Sequence, residues 1–256
     1  MILINRDNYP CPNSLLEEGA EEVDRLILLL NANREQFINT KSKDLFKSDI
    51  YASDDVKDSL IKSQKGKCAF CESTIHEVSY SHVEHYRPKA GWKANANSVV
   101  LNSPGYFKDA YNYNNLLLAC GVCNVSYKKN YFPLSIEDVR AEINVDYDNN
   151  LEEPLLINPV VTEPNEHIDF YKEFPLGRTI SGNISIEYYG LDRQPLNDKR
   201  LEKYNLLSGY VRMLNKNPHD EDLKLMLKEQ LDENIENNLS YVAMVKANFK
   251  EYLGEN

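Results

Sequence analysis

Two Cys-x-x-Cys pairs, Cys68-Ala-Phe-Cys71 and Cys120-Gly-Val-Cys123, constrain this chain more than any other feature. Each pair can place two thiolates on one metal, and two pairs complete a tetrahedral Zn²⁺ site. A closed set of four cysteine ligands is structural, because no position remains for water. Cys71 and Cys120 are separated by 48 residues, against about 15–20 in a simple two-knuckle zinc module. The excess length predicts a functional element between the knuckles. Four of the five cysteines stand in these pairs, which suits metal ligation in a reducing compartment better than a disulfide framework. Cys11 is left over as an ordinary thiol.

The 256 residues suffice for one large domain or two small ones, each with a real core. No apolar run approaches the roughly 18–20 residues of a membrane helix, and the N-terminus has no signal-peptide pattern. A cytoplasmic protein is expected. The net charge of −11 taken alone disfavours nucleic acid, but its distribution does not. Between Lys57 and Lys129, ten Lys/Arg face five acids. That segment is about +5 and the remainder about −16, so a basic stripe lies on an acidic body and can still bind phosphate.

Ser14 followed by Glu17 is a capping-box pattern, after which Leu16, Ala20, Val23, Ile27, Leu30 and Phe37 recur at helical spacing. A second helix is predicted from Ser53, with Val56, Leu60 and Ile61 on one face and a stop at Gly66. Residues 86–112 read as a long irregular loop, and loops of that length tend to be functional. Residues 130–193 read as loops with a few short strands, among them Leu155–Ile157 and Ile184–Ile186. Helices are predicted over 195–215 and 220–253.

Between the knuckles stands His82-Val-Glu84-His85-Tyr-Arg87-Pro-Lys89. Phosphodiester hydrolysis needs a base to deprotonate water and a divalent cation to stabilise charge on the phosphate. Histidine supplies the base near neutral pH, and a neighbouring carboxylate supplies an oxygen ligand for Mg²⁺ or Mn²⁺. On a strand, Glu84 and His85 point to opposite faces, so a bulge or turn is expected to bring both to the substrate. Arg87, Lys89, Lys128 and Lys129 read either as contacts to phosphates or as ordinary surface charge. His82, two residues from Glu84, reads either as a further ligand or as an exposed strand histidine; Asn158 and His167 read as structural, and His76 and His219 as incidental.

Glu84-His85, Asn115 five residues before Cys120, and Cys123-Asn124 with Lys128 after it together resemble the zinc-bearing HNH endonucleases. The resemblance implies a ββα-metal motif with His85 as general base and Glu84 as the acidic metal ligand. It further implies that Asn115 braces the hairpin loop by hydrogen bonds and that Asn124 completes the metal site. The departures are Glu for the commoner Asp at 84 and a long insertion between His85 and Asn115. A narrower similarity, through Cys68-Ala-Phe-Cys71-Glu72, Leu156-Ile-Asn-Pro159 and Gly190-Leu-Asp-Arg193, covers roughly residues 55–205. These phrases resemble the HNH proteins of Septu-type anti-phage systems, also found as retron effectors, and imply a partner ATPase of the SMC/ABC type, PtuA.

The expected fold is α+β and mainly helical, with a central ββα-metal (HNH) motif carrying four-cysteine zinc knuckles. An N-terminal helical region (1–54) and a mixed segment with C-terminal helices (136–256) flank a core at 55–135. The expected function is metal-dependent cleavage of nucleic acid, DNA ahead of RNA. The alternative is a zinc-ribbon subunit that binds nucleic acid or protein without cutting.

Overall fold

The computed structural model describes residues 1–75, 81–237 and 239–253; His76 lies outside them. The protein is α+β, about half helical, with two small two-stranded sheets. Helices α1 (Asn13–Leu16), α2 (Glu18–Ala32), α3 (Arg34–Asn39), α4 (Ser42–Leu45), α5 (Ser48–Tyr51) and α6 (Asp54–Ser63) lead to the first knuckle. Strand β1 (Ser81–His85) pairs antiparallel with β2 (Leu116–Cys120), and a π-helix, Val122–Lys128, follows. A hairpin of β3 (Ile168–Tyr171) and β4 (Phe174–Gly177) precedes α7 (Ile180–Tyr189), α8 (Gln194–Lys216), α9 (Glu221–Glu236) and α10 (Val242–Leu253). Among the described residues, no helix is long and apolar enough to cross a membrane.

Several local features differ from the sequence expectation, each for a packing reason. Ser14 caps no helix: its hydroxyl donates to the Asp55 carboxylate at 2.9 Å and lies 3.1 Å from Ser53 Oγ, tying α1 to the start of α6. The buried face of α1 and α2 is Leu15, Gly19, Glu22, Leu26 and Leu30, largely one position out of step with the predicted stripe, and Leu16 is 58% exposed. The cause sits at Gly19. A Cβ there would stand 2.9 Å from Tyr111 Cβ, so the helix approaches its neighbour on the side that glycine leaves bare. Ile184–Ile186 lies inside α7, not in a strand. Thr179 caps that helix by accepting from Gly182 N at 3.0 Å, and burial of Ser185 and Tyr189 outweighs the β-branched propensity. The helix predicted over 220–253 is two, α9 and α10, parted where Tyr241 takes φ +66°. The predicted α6 is present, with Val56 and Leu60 wholly buried and Gly66 at φ +68°, but Ile61, expected on the same face, is exposed.

The centre of the molecule is β2, buried along its whole length. Gln64, at the end of α6, clamps its edge: the side chain accepts from Leu118 N at 2.9 Å and donates to Leu118 O at 2.8 Å and to Lys67 O at 2.9 Å. Ala69 N adds a bond to Leu118 O at 2.9 Å. The first knuckle is thereby held beside the strand that leads into the second. Phe70, between Cys68 and Cys71, stacks on Tyr189 with ring centroids 3.9 Å apart and planes 13° off parallel, which docks α7 on the knuckle.

Candidate functional site

The four cysteines meet. Cys68, Cys71, Cys120 and Cys123 are buried, with their sulfur atoms all within 4.8 Å of one another. Zn–S bonds of about 2.3 Å in a tetrahedron require S···S separations of about 3.8 Å, and Cys71 Sγ and Cys120 Sγ lie 3.9 Å apart. The thiols cannot share this space as equals. Hydrogen bonds from neighbouring thiols hold Cys71 and Cys120 below the ordinary thiol range. Burial pushes Cys68 up, and the Cys120 thiol pushes Cys123 up. Thiols this close share protons among themselves, and a divalent cation on four thiolates takes the place of those protons. The donor set, its burial and its spacing therefore fit zinc.

Arg193 supplies balancing charge. Its Nη1 donates to Gly190 O at 2.7 Å and lies 3.5 Å from Cys123 Sγ. Burial acts to lower its pKa, but the Cys123 and Cys71 thiols outweigh that and raise it. Gly190 ends α7 at φ +61°, where a Cβ would strike the Tyr127 ring of the π-helix at 2.4 Å. These contacts give the phrase Gly190-Leu-Asp-Arg193 a physical meaning: it seats a guanidinium on the second knuckle. The phrase was visible in the sequence; its target was not. Leu156-Ile-Asn-Pro159 is a brace of the same kind. Its carbonyls accept from Tyr86 Oη (2.5 Å), Tyr189 Oη (2.9 Å) and Ile4 N (2.7 Å), and Asn158 Nδ2 donates to Asn114 O at 3.1 Å. His167 bonds Thr179, the cap of α7, at 2.8 Å.

His85 ends β1 opposite Leu116. Its Nε2 lies 2.9 Å from the Ala110 carbonyl. A carbonyl only accepts, so Nε2 carries the proton and Nδ1 keeps a lone pair. Lys89 Nζ donates to that Nδ1 at 3.2 Å, and Tyr51 packs edge-on against the ring at 4.7 Å. Burial, and after it the Lys89 charge, hold His85 well below its ordinary pKa. The imidazole is neutral at neutral pH.

The β1–β2 register runs through Glu84 and His85 without a bulge. None is needed, because β1 stops there. A cavity of about 310 Å³ opens beyond the strand end, bordered by Glu84, His85, Lys89, Asn124 and Lys129. Asn115 holds the turn that follows. Its Oδ1 accepts from Arg87 N at 2.6 Å, and its Nδ2 donates to Arg87 O at 3.1 Å and Asp109 O at 2.9 Å. At about 1 kcal/mol net for each bond, Asn115→Ala is expected to lower the unfolding free energy by about 3 kcal/mol, read from urea melts.

The four candidate phosphate contacts divide. Lys89 and Lys129 border the cavity. Arg87 turns inward instead. Its guanidinium pairs with the buried Glu152 and lies over the Tyr106 and Phe132 rings. Glu152 also accepts from Tyr106 Oη and Ala141 N, each at 3.0 Å. Lys128 has no solvent exposure; its ammonium sits 2.5 Å from Glu84 Oε1 and donates to His85 O at 2.8 Å. A surface contact to phosphate needs a different placement of both. Glu152 and Tyr51 carry no motif signal, since their partners lie far away in the sequence. His82 is exposed on β1.

Fold and cluster together define an α+β protein built around a buried four-thiol site. The chain is 35% identical over 236 residues to the Septu protein PtuB of Bacillus mycoides, spanning 82% of this chain and 78% of that protein. It is also 27% identical over 139 residues to the Septu protein PtuB of Bacillus thuringiensis, where the match covers 54% of this chain and 41% of the relative. The chain belongs to the Septu PtuB family. No protein-family model matches it, and no solved structure does.

Proposed function

We propose that the chain is a metal-dependent endonuclease of the HNH type and the nuclease component of an anti-phage defence system. One observation carries this reading: a buried, neutral His85 is locked through Nε2 on Ala110 O, its Nδ1 is an acceptor that takes a bond from Lys89 Nζ at 3.2 Å, and both residues border a cavity shared with Glu84 and Asn124. A binding module needs no such oriented base. In the proposed reaction, Lys89 turns from Nδ1 to a substrate phosphate, and the His85 Nδ1 lone pair it frees takes the proton of the attacking water. Asn115 keeps the turn after β1 in place, and Lys89 and Lys129 bind phosphates beside the cut.

Glu84 and Asn124 offer carboxylate and carboxamide oxygens, the donors that Mg²⁺ or Mn²⁺ takes. A bound divalent ion supplies charge stabilisation at the scissile phosphate and the leaving oxygen. β1, β2 and the π-helix take the parts of a ββα-metal motif, and the four cysteines hold Zn²⁺ as its scaffold. In this division residues 55–135 are the nuclease core. Residues 1–54 and 136–256 pack on that core or on a partner.

The relatives' name supports a place in a Septu system beside an SMC/ABC-type ATPase, PtuA. The test is co-expression with an SMC/ABC-type ATPase of the PtuA kind, followed by a panel of plasmid DNA and structured RNA in Mg²⁺ or Mn²⁺ buffer. Cleavage of DNA, faster by the complex than by the chain alone, is expected. Intact DNA and RNA under every condition would sink the nuclease reading.

A further inference from the structure

Glu84 already has a cation. Lys128 is wholly buried, with Nζ 2.5 Å from Glu84 Oε1 and 2.8 Å from His85 O. The π-helix makes this possible. Its wider turn, closed by Lys129 N donating to Asn124 O at 2.8 Å, holds one more residue than an α-turn does. Lys128 is thereby turned inward while Lys129 borders the cavity. Among the described residues bordering that cavity, Glu84 is the single acid, and Lys89 and Lys129 add further positive charge. A divalent cation approaching Glu84 meets an ammonium already in contact with the carboxylate, and like charges at that range repel strongly away from bulk water.

We propose that Lys128 is a positioning residue that occupies the Glu84 carboxylate in the resting protein, so that a divalent cation binds at Glu84 only by displacing it. This rests on the reading of Glu84 as a metal ligand. It deepens that reading by adding a latch: the carboxylate is held in place, and the site stays idle, until something shifts the lysine. No residue beyond those of the site is needed to restrain the cut.

The test is Mn²⁺ binding to the full chain, read by electron paramagnetic resonance without any cleavage assay. Removing the competing charge is expected to tighten Mn²⁺ binding about tenfold or more in Lys128→Met, while Lys128→Arg, which keeps the cation, stays close to wild type. A merely structural role for Lys128 predicts weaker binding in Lys128→Met. Equal or weaker binding in Lys128→Met, with binding still lost in Glu84→Gln, overturns the latch and leaves the metal site standing. Binding indifferent to Glu84→Gln overturns both. A measurement on the wild-type chain is independent of any variant's folding. In ¹⁵N-lysine spectra the Lys128 ammonium signal is expected to shift on saturation with Mg²⁺, and an unmoved signal under saturation overturns the proposal.

Discussion

Replacing Cys71 by serine is expected to abolish stoichiometric zinc and with it the cooperative unfolding of the molecule's centre. The four sulfur atoms lie within 4.8 Å of one another in a buried site, and everything central hangs on the two knuckles. The first is clamped to β2 through Gln64 and Ala69. It also stacks Phe70 on Tyr189 of α7, and Glu72 accepts from the Met1 amino group at 2.5 Å and from Ala243 N at 3.2 Å, which brings in α10. The second knuckle opens the π-helix. Structural zinc contributes on the order of 10–16 kcal/mol in small zinc domains, while whole domains are stable by only about 5–15 kcal/mol. Without the ion, four crowded thiolates lose their main counter-charge and keep the Arg193 guanidinium. Metal analysis should find one zinc per wild-type chain and less in Cys71→Ser, and a chelator should lower the melting temperature of the wild type alone. A variant that keeps its zinc, or a stripped protein that melts unchanged, would refute the structural role of the cluster.

His85→Ala is expected to reduce cleavage by about 10²–10⁴-fold, the usual contribution of a positioned general base. The imidazole has no other described partner that could take over the proton: Ala110 is met through its carbonyl, and Lys89 is a cation at Nδ1. The substitution also empties the space against Tyr51, so the melt must be recorded beside the rate. A loss of rate at unchanged circular dichroism, measured at a temperature well below the melt, belongs to the chemistry. Cleavage at the wild-type rate by a folded His85→Ala protein would remove His85 from the mechanism. The contrast with Asn115→Ala is instructive, because that change is expected in stability first and in rate through the displaced turn.

Much of the centre could be read along the chain because it is encoded locally. Cys-x-x-Cys spacing requires two sulfurs at one point, whatever surrounds them, and the two pairs do meet. The role of Asn115 is implied by the resemblance to HNH endonucleases rather than by the local pattern; its three bonds to the turn at Arg87 and Asp109 come from its place just before the paired run Leu116–Ala119. The start of α6 was legible locally, since helical periodicity acts within a few residues, although Ser53 makes no capping bond there.

Partner choice over long separations was not legible. Arg87 and Glu152 are 65 residues apart, and Lys128 and His85 are 43 apart. Nothing in the local pattern distinguishes a lysine aimed at phosphate from one sealed against a carboxylate. Lys128 and Lys129 are adjacent and chemically identical, yet the π-turn buries one and leaves the other at the cavity. The helical stripe of α2 moved by about one position because Gly19 lets Tyr111 approach, and Ile184–Ile186 became helix because of what α7 packs against. Residue type and spacing determine which groups can do chemistry; close packing decides which of them are free to, because a buried charge must find its counter-charge wherever the fold brings one.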